Sequence, residues 1–428
     1  MKKIMMALAP LLIMTACTNQ AGLSELAKYQ LNNPHKEFNS VTKNKTNEEY
    51  VKSLRGFAVD YLKALDTFDD SDDNQVFSPI SIATCFSMAL EGAKEETKEQ
   101  LEKLLHYDET VFNHKDEIKN ALLRTALNYP EDKTYLDVSQ SSWFNEAYKG
   151  YISDDYVNTL EKYYFAECYQ GDLTKMSKQI ADWVNAKTNN FLNVKDDEFE
   201  TDGSTALMLL NTVYLNAPWN VPFEEHANLK APFHSAHNGN QDVTYMCNSI
   251  SQTYYYQGEG YRIASLGMKH GLSFRMLLPD ENVTYPGALT DEEALDKLLS
   301  VSLVSEGKKA NINYRVPQFK TKSEYNLVNL FQSMGIVKPF LPTADFSGML
   351  KPDTPFGLFI GDAKHVACFE AKNKGVEAAA YTAIEMSCTS VGPSEPVETI
   401  DFYCDHPFAY AITSEDGVPL FMGKITQF

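Results

Sequence analysis

Gly375 opens a run in which Val376, Ala378, Ala380, Thr382, Ile384 and Met386 alternate with Glu377, Ala379, Tyr381, Ala383 and Glu385. A two-residue period with no charge in one register is that of a strand with one buried face. Yet the run is rich in small residues, and Cys388-Thr389-Ser390-Val391-Gly392-Pro393-Ser394-Glu395-Pro396 has the composition of an exposed loop, where proteolysis concentrates. A stretch that suits a loop and a strand alike is a candidate switch, on the surface in one state and in a sheet in the other. An ordinary strand followed by a loop reads the same window without a switch.

The amino terminus speaks to location. Lys2 and Lys3 precede a mostly apolar run from Ile4 to Ala16, too short to span a bilayer but suited to the apolar region of an export signal. Met14-Thr15-Ala16-Cys17 sets small residues before a cysteine and resembles the bacterial lipoprotein signal. Residues 1–16 are therefore expected to be a signal peptide, Cys17 the lipidated first residue of the mature chain, and 17–46 a flexible tether. The expected product is exported, anchored to the outer membrane through Cys17, and faces the periplasm or the surface. A plain secretory signal with an incidental cysteine is the alternative.

Residues 47–428 carry no low-complexity linker and no internal repeat, and read as one domain. A formal charge of −20 with no Lys/Arg cluster argues against a nucleic-acid groove. Cys85, Cys168, Cys247, Cys368, Cys388 and Cys404 are scattered, without metal-ligand spacing, and Cys85 and Cys368 sit among apolar neighbours as core thiols would. No cofactor and no metal are implied, and a monomer is expected.

Helical spacing marks Val51 to Phe68, a helix opened by Ser78-Pro79, Thr97 to Leu105, Asp154 to Tyr164, Lys175 to Phe191, Ala294 to Val304 and Tyr325 to Met334. Strands are predicted at Leu207 to Tyr214, Thr253 to Tyr256, Tyr261 to Leu266, Ser273 to Leu278, His365 to Glu370, Phe408 to Ile412 and Val418 to Ile425. The fold class is α+β, with helices packed on large, mostly antiparallel sheets.

Catalytic constellations are weak. Ser87, His365 and Asp362 can be written as a triad, but no Gly-x-Ser-x-Gly turn supports it. His234 and His237 lack partners for a metal site, Asp69-Asp70 and Asp72-Asp73 fit a solvated turn, and His406 before Pro407 fits strand-end packing.

Joined in order, several segments are more specific. Phe77-Ser78-Pro79-Ile80-Ser81-Ile82-Ala83, Asn211-Thr212-Val213-Tyr214-Leu215-Asn216-Ala217-Pro218-Trp219, Tyr314-Arg315-Val316-Pro317-Gln318-Phe319-Lys320 and Leu330-Phe331-Gln332-Ser333-Met334-Gly335-Ile336 are followed by three more. These are Gly375-Val376-Glu377-Ala378-Ala379-Ala380-Tyr381-Thr382, Asp405-His406-Pro407-Phe408 and Leu420-Phe421-Met422-Gly423-Lys424-Ile425. From about Tyr50 to Phe428 the chain resembles the serpin family, the serine-protease-inhibitor fold.

The resemblance implies roles. Gly375, Val376, Glu377, Ala378, Ala379, Ala380 and Thr382 match the hinge of a reactive-centre loop. Ser78, Ser81, Asn211 and His365 align with the shutter beneath the main sheet, and Trp219 with the aromatic at the breach, where the loop enters. Asn373 stands where inhibitory members usually carry an acidic residue, which is expected to loosen charge anchoring there.

The implied activity is suicide inhibition of a serine protease, or of a cysteine protease by the same trap; a non-inhibitory binding or transport serpin is the alternative, and a serine hydrolase a distant third. Counting from the hinge places the attacked bond at Thr389-Ser390, with Met386-Ser387 as the alternative. A small polar Thr389, and no Lys or Arg from Tyr381 to Asp405, point to elastase-like or subtilisin-like targets rather than trypsin-like ones.

Overall fold

The computed structural model describes residues 25–40, 45–68, 73–203, 205–236, 239–280, 286–361, 363–376 and 397–428. Helices are α1 (Glu48–Phe68), α2 (Pro79–Leu90), α3 (Glu95–Leu105), α4 (His114–Arg124), α5 (Asp154–Thr159), α6 (Ser177–Lys187), α7 (Glu292–Ser300), α8 (Leu303–Glu306) and α9 (Leu327–Ser333). Strands β1 (Gln75–Phe77), β2 (Leu127–Tyr129), β3 (Thr134–Asn145), β4 (Glu167–Gly171), β5 (Leu207–Pro218), β6 (Leu229–His234), β7 (Asn240–Gln257) and β8 (Tyr261–Gly267) come first. Then follow β9 (Ser273–Pro279), β10 (Lys308–Pro317), β11 (Phe319–Asn326), β12 (Lys364–Lys372), β13 (Gly375–Val376), β14 (Thr399–Tyr403), β15 (Phe408–Thr413) and β16 (Pro419–Ile425). The class is the α+β one expected.

Local chemistry sets the boundaries. Asn47 Oδ1 accepts from Glu49 N at 2.8 Å and starts α1. Ser78, with extended φ/ψ, caps α2 by accepting from Ser81 N, and Pro79 fills the first helical position, where a missing N–H costs nothing. The helix expected from Tyr325 begins two residues later, because Asn326 accepts from Asn329 N at 3.0 Å and Tyr325 is the penultimate residue of β11. The helix expected over Ala294 to Val304 breaks at extended Val301, after which Ser302 caps α8.

One sheet runs β1-β16-β15-β9-β8-β7-β10-β14, with β6 against β7. The other runs β11-β12-β13-β5-β3-β2, with β4 parallel to β3. The main core fills the space between them and α1, α2 and α9, with Tyr61 and Phe77 rings 4.5 Å apart and Phe86 edge-on to Phe331 at 4.9 Å. A second cluster joins α6 to the outer face of the second sheet, where Trp143 stacks on Tyr169 at 4.3 Å beside Trp183 and Ile180. Among the described residues no helix is long and apolar enough to cross a membrane.

The tether expected over 17–46 needs correction. Residues 25–40 lie along the body: Leu26 is buried in the α6 cluster, and Gln30 forms a bridge to Tyr169 of β4. Burial of one leucine and repeated pairing with strand backbone make this segment part of the domain surface rather than a free linker.

Candidate functional site

Gly375 and Val376, the first two residues of the expected hinge, lie in the second sheet between β12 and β5. Val376 is opposite Ala371 on one side and Ala217 on the other; Gly375 is opposite Lys372 and Pro218. Among the described residues β12 and β5 have no direct register with each other, so this two-residue strand is what joins them. A Cβ at Gly375, where φ is 152°, would lie 2.3 Å from Ala217 O, so only glycine lets the chain turn in this closely. Val376 is 3% exposed and packs into the main core, which fits the apolar register read from the sequence. Glu377, Ala378, Ala379, Ala380, Thr382, Met386, Ser387, Thr389 and Ser390 lie outside the described residues, as do Cys17 and Asp362.

Above this rung, the Trp219 indole donates to Lys372 O at 2.8 Å, and its backbone N–H donates to Lys374 O at 3.1 Å. The ring is buried edge-on against Phe223 and Phe274. Asn373 does not leave the place loose. Its Oδ1 accepts from Gln318 Nε2 and, at 3.2 Å, from Asn228 Nδ2; its Nδ2 donates to Asn228 Oδ1 at 2.8 Å and to Phe223 O at 3.3 Å. Both lone pairs and both N–H groups are used, so a neutral amide network holds the place where looser anchoring is expected from the sequence. Asn228 and Gln318 carry no sequence signal of this role, since Asn228 lies 145 residues from Asn373.

Beneath the rung, Ser78 N donates to His365 Nε2 at 3.1 Å and Ser78 Oγ donates to Leu420 O at 2.6 Å. Ser81 Oγ donates to Asn211 Oδ1 at 2.5 Å. The four residues aligned with the shutter thus form two linked pairs, joined by the Ser78 cap on Ser81 N. Burial holds the His365 imidazole at about 3, so it stays neutral and accepts. Asn211 Nδ2 is buried with no partner among the described residues, on a β5 residue that β12 does not pair. A spare donor in that place is suited to an incoming acceptor.

Other candidates are not assembled. Ser87 Oγ donates to Ala83 O at 2.6 Å and faces Tyr107 OH at 3.1 Å, while His365 is engaged with Ser78. His406 Nε2 lies 2.9 Å from Pro279 O at a strand end. Cys85, Cys168, Cys247 and Cys404 are free thiols, and the described residues hold no group of three metal-ligating side chains.

A family model described as Serpin (serine protease inhibitor) matches residues 52–428. The chain belongs to the serpin family. Serpin B3 of Homo sapiens is 26% identical over 382 residues, covering 84% of this chain and 95% of that protein. An uncharacterised serpin-like protein of Thermococcus kodakarensis is 27% identical over 393 residues, covering 90% of this chain and 87% of that one. The fold is shared with the thermophilic serpin Tengpin in its native state, with TM-score 0.75 and 23% identity over 92% of this chain and 97% of that one. It is shared too with human thyroxine-binding globulin complexed with thyroxine, with TM-score 0.71 and 21% identity over 89% of this chain and 98% of that one. As a serpin, the chain is of a protease-inhibitor family and is not an enzyme.

Proposed function

We propose that this serpin inhibits a serine protease by trapping it through loop insertion. The observation that carries the reading is the Gly375–Val376 rung, a strand already started between β12 and β5. The protease nucleophile attacks the loop carbonyl, the acyl-enzyme forms, and the chain beyond the attacked bond departs as the leaving amine. The freed segment continues inward from Val376 as a new strand and carries the ester-linked protease with it. Displacement of the nucleophile from its oxyanion donors and water then stalls deacylation. The Ser78, Ser81, Asn211 and His365 cluster yields hydrogen bonds to the entering strand, and Trp219 with Asn373 fixes where it enters.

The attacked bond is assigned to Thr389-Ser390, with Met386-Ser387 second, and the target to an elastase-like or subtilisin-like enzyme with a shallow pocket. Incubation with pancreatic elastase is expected to give an SDS-stable complex, and mass spectrometry of the released peptide a cut between Met386 and Val391. Cleavage without complex would favour a binding or transport serpin, and faster trapping of trypsin than of elastase would overturn the target class.

We also propose lipidation at Cys17 and attachment to the outer membrane. Only residues 18–24 separate Cys17 from Glu25, so Glu25 lies within about 30 Å of the proposed anchor. Cell fractionation should find the wild type with membranes and Cys17→Ala in the soluble fraction; equal release of both would remove the anchor.

A further inference from the structure

We propose that a cavity on the outer face of the first sheet is a binding site for a small organic carboxylate, with Arg315 as its anion-binding group. Three strands and a loop converge on it. The alternation of β10 turns Ile312, Tyr314 and Val316 into the core and leaves Asn313 and Arg315 half-buried on the other face. Register then sets Cys247 of β7 and Tyr403 of β14 on either side of Arg315. Ser249 and Asp401 flank Asn313 in the same way. The segment between β5 and β6 lines the remaining side. The space between them is about 560 Å³, within the usual range for small-molecule sites.

The two rows differ in what they leave over. The Asn313 row is satisfied: Ser249 Oγ donates to Asn313 Oδ1, and Asn313 Nδ2 donates to Asp401 Oδ1, each at 2.8 Å. The Arg315 row is not. Its guanidinium lies over the Tyr403 ring, 4.0 Å from the centroid, beside the Cys247 thiol, and among the described residues it pairs with no carboxylate. Arg55, Arg124 and Arg262 each pair with one, and Arg275 donates to Val301 O. Acidic residues number 58 against 38 lysines and arginines, so the vacancy beside Arg315 is not for want of carboxylates. Burial raises the Cys247 thiol, and the nearby guanidinium offsets part of that rise, so the cation bears on this spot. A guanidinium held flat on a ring presents paired N–H groups to a carboxylate with little further ordering.

The surroundings select the ligand. One guanidinium, with the Glu224 carboxylate also lining the cavity, favours a single negative charge over a phosphate dianion. Val221, which is 54% exposed, with Pro222 and Ala227, offers an apolar wall to the body of the ligand. That wall is preformed. Phe223, between Pro222 and Glu224, is 3% exposed and edge-on to Trp219. Its N–H donates to Asn373 O at 2.9 Å, and its carbonyl accepts from Asn373 Nδ2 at 3.3 Å. The site stands apart from the trapping mechanism, and its test needs no protease.

Phenylacetate is titrated into the full chain by isothermal calorimetry, with phenylacetamide and inorganic phosphate as comparisons. One saturable site is expected for phenylacetate, with binding at least about tenfold weaker for both comparisons and for Arg315→Gln. Ala227→Trp keeps the guanidinium but fills the cavity, and is expected to lose binding to a similar extent. Location is read from alkylation of Cys247 by iodoacetamide, followed by peptide mass spectrometry. With phenylacetate at about five times its Kd, alkylation of Cys247 is expected to slow about sixfold while Cys85 keeps its rate. No saturation up to about 10 mM phenylacetate would overturn the site. So would equal binding of phenylacetamide, equal binding by Arg315→Gln, or unchanged alkylation of Cys247. Tighter binding of phosphate than of phenylacetate would overturn the carboxylate class.

Discussion

Val376→Arg is expected to turn the inhibitor into a substrate: elastase cleaves the loop at an undiminished rate, and the SDS-stable complex falls about a hundredfold relative to cleaved product. Val376 is 3% exposed and enclosed between Ala371 and Ala217 in the strand ladder. An arginine in that register must bury its guanidinium without a counter-ion, a cost of several kcal/mol. In the intact protein the chain escapes the cost by surrendering a two-residue rung. In the inserted state the same position lies at the head of a long strand and has no escape. Insertion competes with deacylation, and a barrier higher by about 3 kcal/mol shifts that competition by roughly two orders of magnitude. Gel densitometry of complex against cleaved chain gives the ratio; an unchanged ratio would show that Val376 is not part of the inserting register.

The second expected result concerns acid. Burial lowers His365 to about 3 in the folded chain, against an ordinary value near 6.5 when unfolded. Between these values the unfolded chain binds the extra proton, so this group's contribution is complete above pH ~6.5 and is lost as pH falls toward 3, by about 1.4 kcal/mol per pH unit. Protonation also removes the acceptor for Ser78 N, which lies 3.1 Å away, and so strikes the cap of α2 and the link to Asn211 together. Urea unfolding of wild type and His365→Gln at pH 7.5 and 5.0 isolates the effect, because carboxylate titrations are common to both. The advantage of the wild type is expected to shrink by about 2 kcal/mol at pH 5.0. An advantage independent of pH would place the imidazole in contact with solvent.

Residues that pack alone were legible; residues that pair at a distance were not. α1 and α2 carry their own periodicity and caps, and were read within a few residues of their ends. β3 is not legible in the sequence because Ser139, Gln140, Ser141 and Ser142 are polar yet buried, so the central strand shows no apolar alternation. In β7 only Thr253 to Tyr256 carries a legible strand pattern, since the first half is mostly polar apart from the buried Tyr245 and Met246 and their neighbours. The segment at 25–40 looked like a linker because Asn32, Lys36 and Asn39 find their partners on strands about a hundred residues away. At the site, Val376 and the cap at Ser78 follow from local pattern, whereas the Asn373 network needs Asn228, Gln318 and Phe223, which only the fold brings together.

The central claim is that the loop becomes a strand once cut. Roughly a dozen residues would then gain ladder partners at about 1 kcal/mol net each. In a chain of 428 residues each kcal/mol moves the unfolding midpoint by roughly 1 °C. The decisive measurement is therefore thermal unfolding of the protein before and after its loop is nicked by a catalytic amount of elastase. The account predicts a midpoint higher by at least about 10 °C in the nicked protein. A midpoint that stays where it was, or falls, would contradict it.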